Sequence, residues 1–456
     1  MKSFFYCLMG LCVILASCSQ LPQMDEYVHL VGSEEMTSYD ISSSEINRMD
    51  FSRMIEPKTK ATMTLTKEIT PVVERTDTLL YVINYGDSNG WVIASGDKRT
   101  PIILAMSETG HFDIDLLPIK NKGVATWFEG VKEDIVYLKE HPDFIPDSTY
   151  LAIWNSRETN LATKGGIEHE GEWLQLVYTM IDFGVLRYDI DHLMSTQWGQ
   201  DDPWNLCLPL DESNDRCSAG CTIVAAAQQA YYLHSLLGKP SSAFQYGICT
   251  DHYYDNNYNP SIILYTSSPS TWATMVETAS DTSTIGKQAV SALMGEVIKR
   301  SSATWYNAEA VASMGMVQSY FSYYSISCSS SAFNQETVLN NILNDKPVIV
   351  GLDSYNGYFG DHTAVIDGIK VFAQKITYYY QWMPIGTYPP VEPEYPDLEH
   401  PELYVIGEAW GQNSDYFYRL NWGFDGELDD GLYQHGTAWG RNAFLYVPDV
   451  ILYNFN

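Results

Sequence analysis

Residues 218–229 read SAGCTIVAAAQQ and contain the pattern that decides the fold of this chain. Gly220 can adopt a turn conformation that most residues cannot, and the run of alanines and glutamines after it favours a helix. We therefore expect Cys221 in the first turn of a helix, where free backbone N–H groups and the helix dipole stabilise a thiolate and lower the thiol pKa. Taken alone, this cysteine could also be a small buried side chain without reactivity.

A histidine and an asparagine farther along the chain are the candidate partners of this thiol. Residues 360–368 read GDHTAVIDG, which places His362 at the start of an apolar run that should be a core strand. Residues 420–426 read LNWGFDG, which places Asn421 at the end of another short strand. An asparagine carbonyl can hold an imidazole in one tautomer, and Trp422 would shield that hydrogen bond from water. Either polar residue could also be structural, but the order Cys, His, Asn fits the papain-type arrangement.

Gln200, upstream of the cysteine, is the candidate for stabilising a charged intermediate. It lies in residues 199–205, which read GQDDPWN. A tetrahedral acyl intermediate needs hydrogen-bond donors directed at its oxyanion, and the Gln200 amide together with the Cys221 backbone N–H would supply two. Gln200 could instead be a turn residue, because glycine, aspartate and proline surround it.

A separate α+β region is predicted before these motifs. Residues 78–85 and 91–95 are expected to be strands joined by a turn, and residues 101–106 to be a third extended stretch. Residues 124–138 have apolar side chains at helical spacing and predict a helix. The polar residues 155–172 predict a linker to a second region of the chain.

The N-terminus has the features of an exported lipoprotein. Lys2 precedes an apolar run over residues 4–16, which is too short for a stable membrane-spanning helix. The run ends in LASC at residues 15–18, which resembles the bacterial lipobox, where Cys18 is lipidated and the chain is cut before it. An ordinary signal peptide that happens to contain Cys18 is the alternative. We expect an exported protein, held at the outer membrane or cell surface through a lipid anchor unless maturation releases it.

Composition argues against several other classes of function. With 26 basic and 57 acidic residues the net charge is −31, which repels phosphate backbones, so no nucleic-acid partner is expected. No CxxC pair or histidine cluster predicts zinc, and no cofactor is expected. Cys207 and Cys217 are close enough in sequence for a local bridge, which the sequence leaves open. An odd number of cysteines follows the leader, so at least one is unpaired in a monomer: Cys207, Cys217, Cys221, Cys249 and Cys328.

Several of these motifs together resemble the streptopain family of cysteine peptidases. They are QDDPWN at 200–205, Gly220-Cys221, LMGEV at 293–297, HTAVIDG at 362–368 and NWG at 421–423. Residues 78–138, above all GWVIASGD at 90–97, are similar to the propeptide of that family. The chain departs from the family in TIVA at 222–225, in GFDG at 423–426, in an apparent insertion at 386–405 and in its four further cysteines.

This resemblance implies an α+β fold with a papain-like, two-lobed peptidase domain that has a helical lobe and an antiparallel β lobe. An α+β propeptide domain would precede it. The resemblance implies Cys221 and His362 as the catalytic pair, Gln200 in the oxyanion hole, and Asn421 with Trp422 supporting His362. The predicted divisions are a lipoprotein-type signal peptide at 1–18, a tether and inhibitory propeptide at 19–165, and the peptidase domain at 166–456.

The predicted function is that of a secreted or surface-anchored cysteine endopeptidase made as a zymogen. Its partners would be protein or peptide substrates and its own propeptide, which would act as an intramolecular inhibitor. Two alternatives use the same fold. One is an acyl-transferring protein such as a transglutaminase or amidase, which an aspartate in place of Asn421 would favour. The other is a non-catalytic surface protein, which loss of Cys221 or His362 would favour.

Overall fold

The structure is a computed structural model that describes residues 39–49, 51, 66–145, 150–151, 166–169, 172–235, 247–249, 262–264, 269–323, 326, 328–331, 333–352, 362–384, 404–427, 429–434 and 450–453. The predicted leader with Cys18, most of the predicted linker and the proline-rich stretch at 389–401 lie outside these residues. None of the helices in these ranges combines the length and the apolar character that crossing a membrane requires.

The first region is a four-stranded antiparallel sheet covered by one long helix. Its elements are α1 Ser43–Arg48, β1 Lys67–Glu74, β2 Asp77–Tyr85, β3 Trp91–Ser95, β4 Ile103–Ser107, α2 Leu117–Lys120 and α3 Lys122–Glu140. The apolar face of α3 is buried from Val124 to Leu138, as its helical spacing predicts. The strands predicted at 78–85, 91–95 and 101–106 and the helix predicted at 124–138 are confirmed.

The second region contributes five described helices and the rest of the strands. The helices are α4 Cys221–Ser235, α5 Pro269–Thr274, α6 Thr284–Ser301, α7 Met314–Tyr323 and α8 Gln335–Ile342. Helices α4, α6 and α7 share one apolar core with the buried indoles of Trp198 and Trp204. This core belongs to the helical lobe, and it fixes the axis of α4 and so the position of Cys221.

Twelve of the described strands form a single sheet that runs through both regions. The strands of the second region, in and outside this sheet, are β5 Gly166–His169, β6 Glu172–Ile190, β7 Gly247–Cys249, β8 Ile262–Leu264, β9 Thr304–Tyr306, β10 Glu309–Val311, β11 Cys328–Ser331, β12 Val348–Leu352, β13 His362–Pro384, β14 Tyr404–Asn421, β15 Leu432–Gln434 and β16 Val450–Tyr453. The described order is β1-β2-β3-β4-β15-β14-β13-β12-β16-β11, with β6 beside β13 and β5 beside β6. Strands β7 and β8 pair with each other, as do β9 and β10.

The two regions are joined by strand pairing and by a shared apolar core. Strand β4 pairs with β15 through Ala105 opposite Tyr433 and Met106 opposite Leu432. Helix α3 packs in the same core as β13 and β14. The residues from Asp40 onward accordingly form one compact unit. Separating the first region from the second would expose this shared apolar surface to water.

Two sequence-based expectations are corrected by the strands. Residues 166–169, expected in a linker, form β5, and β6 begins directly afterwards at Glu172. Strand β14, expected to be short, has 18 residues and pairs along most of its length with β13. Pairing with a neighbouring strand gives the backbone N–H and C=O groups hydrogen-bond partners. These bonds outweigh the weak local preference of polar residues for irregular structure.

Candidate active site

Cys221 is the first residue of α4, as predicted. Gly220 before it has φ +77°, and a Cβ there would lie 2.0 Å from the carbonyl oxygen of Ala310. Only glycine fits this left-handed turn and this close approach. The Ser218 N–H donates to Ala308 O at 2.8 Å, and the Ala310 N–H donates to Ser218 O at 3.1 Å. The β9–β10 hairpin therefore holds the segment that leads into the cysteine.

His362 is the first residue of β13 and is buried. Its Nε2 lies 2.8 Å from the backbone carbonyl oxygen of Trp422. A carbonyl only accepts hydrogen bonds, so Nε2 carries a proton and Nδ1 is left to exchange a proton with Cys221. The imidazole stacks against Phe424, with ring centroids 5.3 Å apart and an interplanar angle of 21°.

Cys221 and His362 interact as a thiolate–imidazolium pair. Burial by itself raises the pKa of the Cys221 thiol, but the charge and hydrogen bond of His362 outweigh it, so the thiol pKa is lowered. Burial by itself lowers the pKa of His362, but Cys221 and the Trp422 carbonyl outweigh it, so the imidazole pKa is raised. Each of the two groups therefore stabilises the charged form of the other.

The other described thiols lack such a setting. Burial, helped by Asp211, raises the pKa of Cys217 to about 11, and burial also raises the pKa of Cys328. Cys207 is disulfide-bonded, whereas Cys217 is free, so the two do not form the local bridge that the sequence left open. Cys221 is the described cysteine with a lowered thiol pKa.

Asn421, the last residue of β14, does not contact His362. Its Oδ1 accepts a hydrogen bond from Gln228 Nε2 at 3.0 Å, and its Nδ2 donates to the Thr196 carbonyl. The predicted hydrogen bond from the Asn421 side chain to His362 is therefore wrong in this structure. The side chain is occupied by α4 and by the segment before it, and the backbone carbonyl of Trp422 takes its place.

Trp422 lies directly beside the imidazole. Its indole is fully buried, and its ring centroid is 6.1 Å from that of His362. The buried carboxylate of Asp429 accepts the Trp422 N–H at 3.0 Å, which fixes the peptide whose carbonyl binds His362. Trp422 thus contacts His362 through its backbone carbonyl as well as its ring.

Gln200 lies beside the helix that carries Cys221. Its backbone carbonyl accepts the Ala219 N–H at 2.8 Å, two residues before Cys221. Its side chain is largely buried and forms no hydrogen bond with the part of the chain that the structure describes. The amide is therefore free to donate to another acceptor, which the predicted oxyanion role requires.

An ion pair between the half-buried His192 and the buried Asp367 contacts the loop after Trp422. His192 Nδ1 lies 2.8 Å from Asp367 Oδ1, and its Nε2 lies 3.0 Å from the Asp429 carbonyl oxygen. Burial lowers the pKa of His192, but Asp367 more than compensates and raises it to about 9. Burial raises the pKa of Asp429 to about 8. The pair ties the start of the helical lobe to β13 and to the Trp422 loop.

The first region touches the candidate site through the start of α3. A Cβ on Gly123 would lie 2.6 Å from Trp422 Cε3 and 2.7 Å from His362 Cδ2, so the helix backbone lies directly on the imidazole. Asn121 caps α3 by accepting the Val124 N–H at 2.9 Å. These contacts place the N-terminus of α3 over the base.

An acidic residue of the second region also belongs to the site. Glu309 follows the turn of the β9–β10 hairpin, and its Cγ would lie 3.5 Å from a Cβ on Gly220. Burial raises the pKa of Glu309, the positive charge of Lys122 in α3 lowers it, and Asp201 raises it. In turn, Glu309 raises the pKa values of Cys221 and His362.

Sequence reasoning missed Gly123, Glu309 and Asp429. Gly123 lies in a helix and Glu309 in a short hairpin, and neither has a motif or spacing that points to the site. Asp429 follows the NWG motif by a few residues and could have been suspected as a carboxylate near His362. Within the described ranges, no three His, Cys, Asp or Glu side chains are grouped so that they could hold a metal ion.

Cys221 begins a helix of the helical lobe and His362 begins a strand of the β lobe, which is a papain-like arrangement. Residues 198–433 match the Peptidase C10 family, and residues 45–135 match the Spi protease inhibitor. The first match covers more than half of the 456 residues, so the chain belongs to the Peptidase C10 family. The predicted resemblance to the streptopain family is confirmed.

Two relatives illustrate the likeness. Streptopain from Streptococcus pyogenes is 25% identical over 228 residues, which are 48% of this chain and 48% of streptopain. The chain therefore spans about half the length of the curated relatives it matches. A prointerpain A fragment from Prevotella intermedia has a TM-score of 0.50 and 17% identity, covering 85% of this chain and 98% of the fragment. Its likeness supports the fold, and the predicted α+β, papain-like class with an α+β propeptide domain is confirmed.

Proposed function

We propose that the chain is a cysteine endopeptidase that hydrolyses proteins and is made as an inactive precursor. One observation carries the proposal: Cys221 at a helix start and His362 at a strand start have pKa values shifted in opposite directions by each other. Such a pair is a nucleophile and a proton carrier at neutral pH. No other described thiol has this setting.

The reaction follows from the geometry. His362 Nδ1 holds the proton of Cys221 while Nε2–H stays bound to the Trp422 carbonyl. The thiolate attacks the carbonyl carbon of a peptide bond, and the oxyanion accepts hydrogen bonds from the Cys221 backbone N–H and the Gln200 amide. The imidazolium protonates the leaving amine. Water, which gives a proton to His362, then hydrolyses the thioester and restores the thiol.

Selective alkylation tests the nucleophile against internal controls. Residues 166–456 purified after maturation should react with iodoacetamide at Cys221 at neutral pH, whereas Cys217 and Cys328 should react far more slowly. Peptide mapping by mass spectrometry locates the label, and hydrolysis of casein is followed in the same sample. Loss of casein hydrolysis in step with Cys221 labelling supports the proposal. Full activity after complete labelling of Cys221 would refute it.

Inhibition by the first region is the second part of the proposal. It is supported by α3, which lies on His362 through Gly123, and by the β4–β15 pairing, which anchors this region to the site. The predicted activating cut lies in the linker, where Lys164 offers a trypsin-like bond. Polar, glycine-containing segments are common sites of proteolytic nicking.

The precursor is tested with Cys221→Ala, which cannot process itself. This variant is incubated with trace trypsin or with mature wild type, and the new N-terminus is sequenced. The wild-type precursor is assayed on casein before and after the same treatment. We expect a first stable cut within 155–172 and activity only after it. An intact precursor that is already fully active would contradict the proposal.

Export with a lipid on Cys18 is the third part. It is supported by the sequence LASC at 15–18 and by the apolar run before it. Cells that express the precursor are labelled with palmitate, and wild type is compared with Cys18→Ser. Label in the wild type alone, with the protein in the membrane fraction, is the expected result. Equal labelling of both proteins would count against a lipid anchor.

A further inference from the structure

A cavity of about 490 Å³ lies beside the candidate catalytic residues and is not used by the reaction described above. Its wall includes Asn421, which directly precedes Trp422, so the cavity adjoins the peptide that binds His362. It also includes Thr196, Asp425, Glu427, Asp429 and Asp430. The cavity therefore borders the loop that holds the base.

Two buried oxygen atoms in this wall have no partner in the described structure. Asp429 Oδ2 and Thr196 Oγ1 form no hydrogen bond, although their side chains are only 6% and 2% exposed. A buried polar atom without a hydrogen-bond partner costs free energy. Both residues line the cavity, and the Thr196 hydroxyl can accept a hydrogen bond from an N–H donor of a ligand.

The charge of the cavity favours a cation. Asp425, Glu427 and Asp430 are exposed carboxylates at its wall, and no lysine or arginine of the described residues lines it. Burial raises the pKa of Asp425, and repulsion from the carboxylates of Asp201 and Glu427 raises it further. These like charges therefore lie close together. His192, whose pKa is raised to about 9, also lines the cavity as an imidazolium, but the carboxylate of Asp367 balances its charge.

The first region already places donors on this rim. Lys120 Nζ lies 3.7 Å from Glu427 Oε2, and Asn121 Nδ2 donates to the Glu427 carbonyl at 2.6 Å. Thr109 donates to the Asp430 carboxylate. Removing the first region on maturation would take these partners away. Glu427 and Asp430 would then be free to attract another cation.

We propose that this cavity binds the basic side chain of a substrate residue that flanks the scissile bond. A guanidinium group presents five N–H donors, which suits the exposed carboxylates of the wall together with the unpaired Thr196 hydroxyl. The mature peptidase would thus prefer substrates with arginine, and less strongly lysine, at one position near the cut. This inference rests on the proposed peptidase function.

A peptide series tests the preference. Fluorogenic peptides carry arginine, lysine, citrulline or glutamate at each of three positions on either side of the scissile bond. Citrulline keeps the shape of arginine without its charge. The double variant Glu427→Gln, Asp430→Asn is compared with wild type, and Glu336→Gln, an exposed glutamate in the first turn of α8, is the matched control. The readout is the ratio of kcat/KM for arginine over citrulline.

We expect this ratio to be about two- to fivefold at one position in wild type and in Glu336→Gln, since an exposed ion pair gives a preference of this order. The double variant should lose the ratio while it still cleaves the citrulline peptides. A ratio near one at all six positions in wild type would overturn the inference. Failure of wild type to cleave any peptide would instead refute the proposed peptidase function.

Free agmatine tests whether the cavity binds the side chain of a substrate or a small soluble cation. Agmatine should inhibit cleavage of the arginine peptide by wild type in a competitive way and have little effect on the double variant. Inhibition without any arginine preference would mean that the cavity takes free cations rather than a substrate side chain, which would overturn the proposal as stated. Inhibition of both proteins to the same extent would also overturn it.

Discussion

Cys221 and His362 are held in the site by regions that are built in different ways. The backbone conformation at Cys221 depends on a short local sequence, Gly220 and the start of α4, and the β9–β10 hairpin from a distant part of the chain packs against it. His362 depends on parts that are far apart in the chain, namely the Trp422 carbonyl, the ring of Phe424 and the start of α3. The nucleophile is therefore set locally, and the base is assembled by tertiary contacts.

This difference indicates where the first region can act. It contacts His362 and Trp422 through Gly123, whereas the peptide before Cys221 is held by the β9–β10 hairpin of the second region. A region that must hold the enzyme inactive and later be removed can disturb the base without disturbing the fold of the nucleophile. Changes on the Cys221 side should therefore alter catalysis, and changes at α3 should alter inhibition.

Loss of the nucleophile should have the largest effect. Cys221→Ala removes the thiol, and knocking out the nucleophile of a hydrolytic enzyme costs about 10⁶-fold in kcat. Casein hydrolysis by the matured protein should fall to the detection limit. Cys328→Ala is the matched control, because that thiol has a raised pKa and should be dispensable. Near wild-type activity in Cys221→Ala would show that Cys221 is not the nucleophile.

Loss of the oxyanion donor should have a smaller effect. Gln200→Ala removes an amide that has no partner among the described residues, so the change should leave the fold intact. Removing one such donor costs about 10²–10³-fold in kcat. Single-turnover kinetics on a peptide substrate measure the loss. An unchanged kcat would show that Gln200 is a turn residue only.

A methyl group on α3 should weaken inhibition without touching the nucleophile. In Gly123→Ala the new Cβ meets Trp422 and His362 at 2.6–2.7 Å, and overpacking of this kind costs about 1–3 kcal/mol. The intact precursor should therefore show activity raised roughly fivefold or more over wild type, or mature faster.

Gly130→Ala is the control for this substitution. It makes the same change in the same helix, about two turns farther from His362, and gains the same helix propensity. The two precursors are made with identical linkers and assayed on casein before any cut is visible on a gel. An equal rise in casein hydrolysis by both uncut precursors would show that α3 does not inhibit through His362.

Removal of the Glu309 charge should have the smallest effect. The Glu309 carboxylate raises the pKa values of both Cys221 and His362. Activity rises as the thiol deprotonates and falls as the imidazolium deprotonates, so Glu309→Gln should move both limbs of the pH–rate profile to lower pH. The maximum rate should change by less than about threefold, because the Glu309 side chain, although partly covered by its neighbours, is exposed enough for solvent to screen its charge. Limbs that move apart or to higher pH would contradict this assignment.

Much of the fold and the nucleophile could be predicted from the sequence, because their determinants are local. The apolar spacing of 124–138 predicts α3, and the alternation and turn chemistry of 78–95 predict β2 and β3. Gly220 followed by an alanine-rich run predicts the start of α4. These patterns depend on backbone preferences and on the burial of one face, which neighbouring residues determine.

The setting of His362 was decided by the tertiary structure alone. Asn421 has the position in the chain that a triad requires, yet Gln228 and Thr196 occupy its side chain, and the carbonyl of Trp422 binds the imidazole instead. Gly123 reaches the histidine because β4 pairs with β15 and so places α3 over the site. A sequence pattern states which groups are present. Which acceptor lies nearest to the imidazole depends on how separate strands and helices pack. Only an acceptor within hydrogen-bond distance binds it, and the sequence does not give that distance.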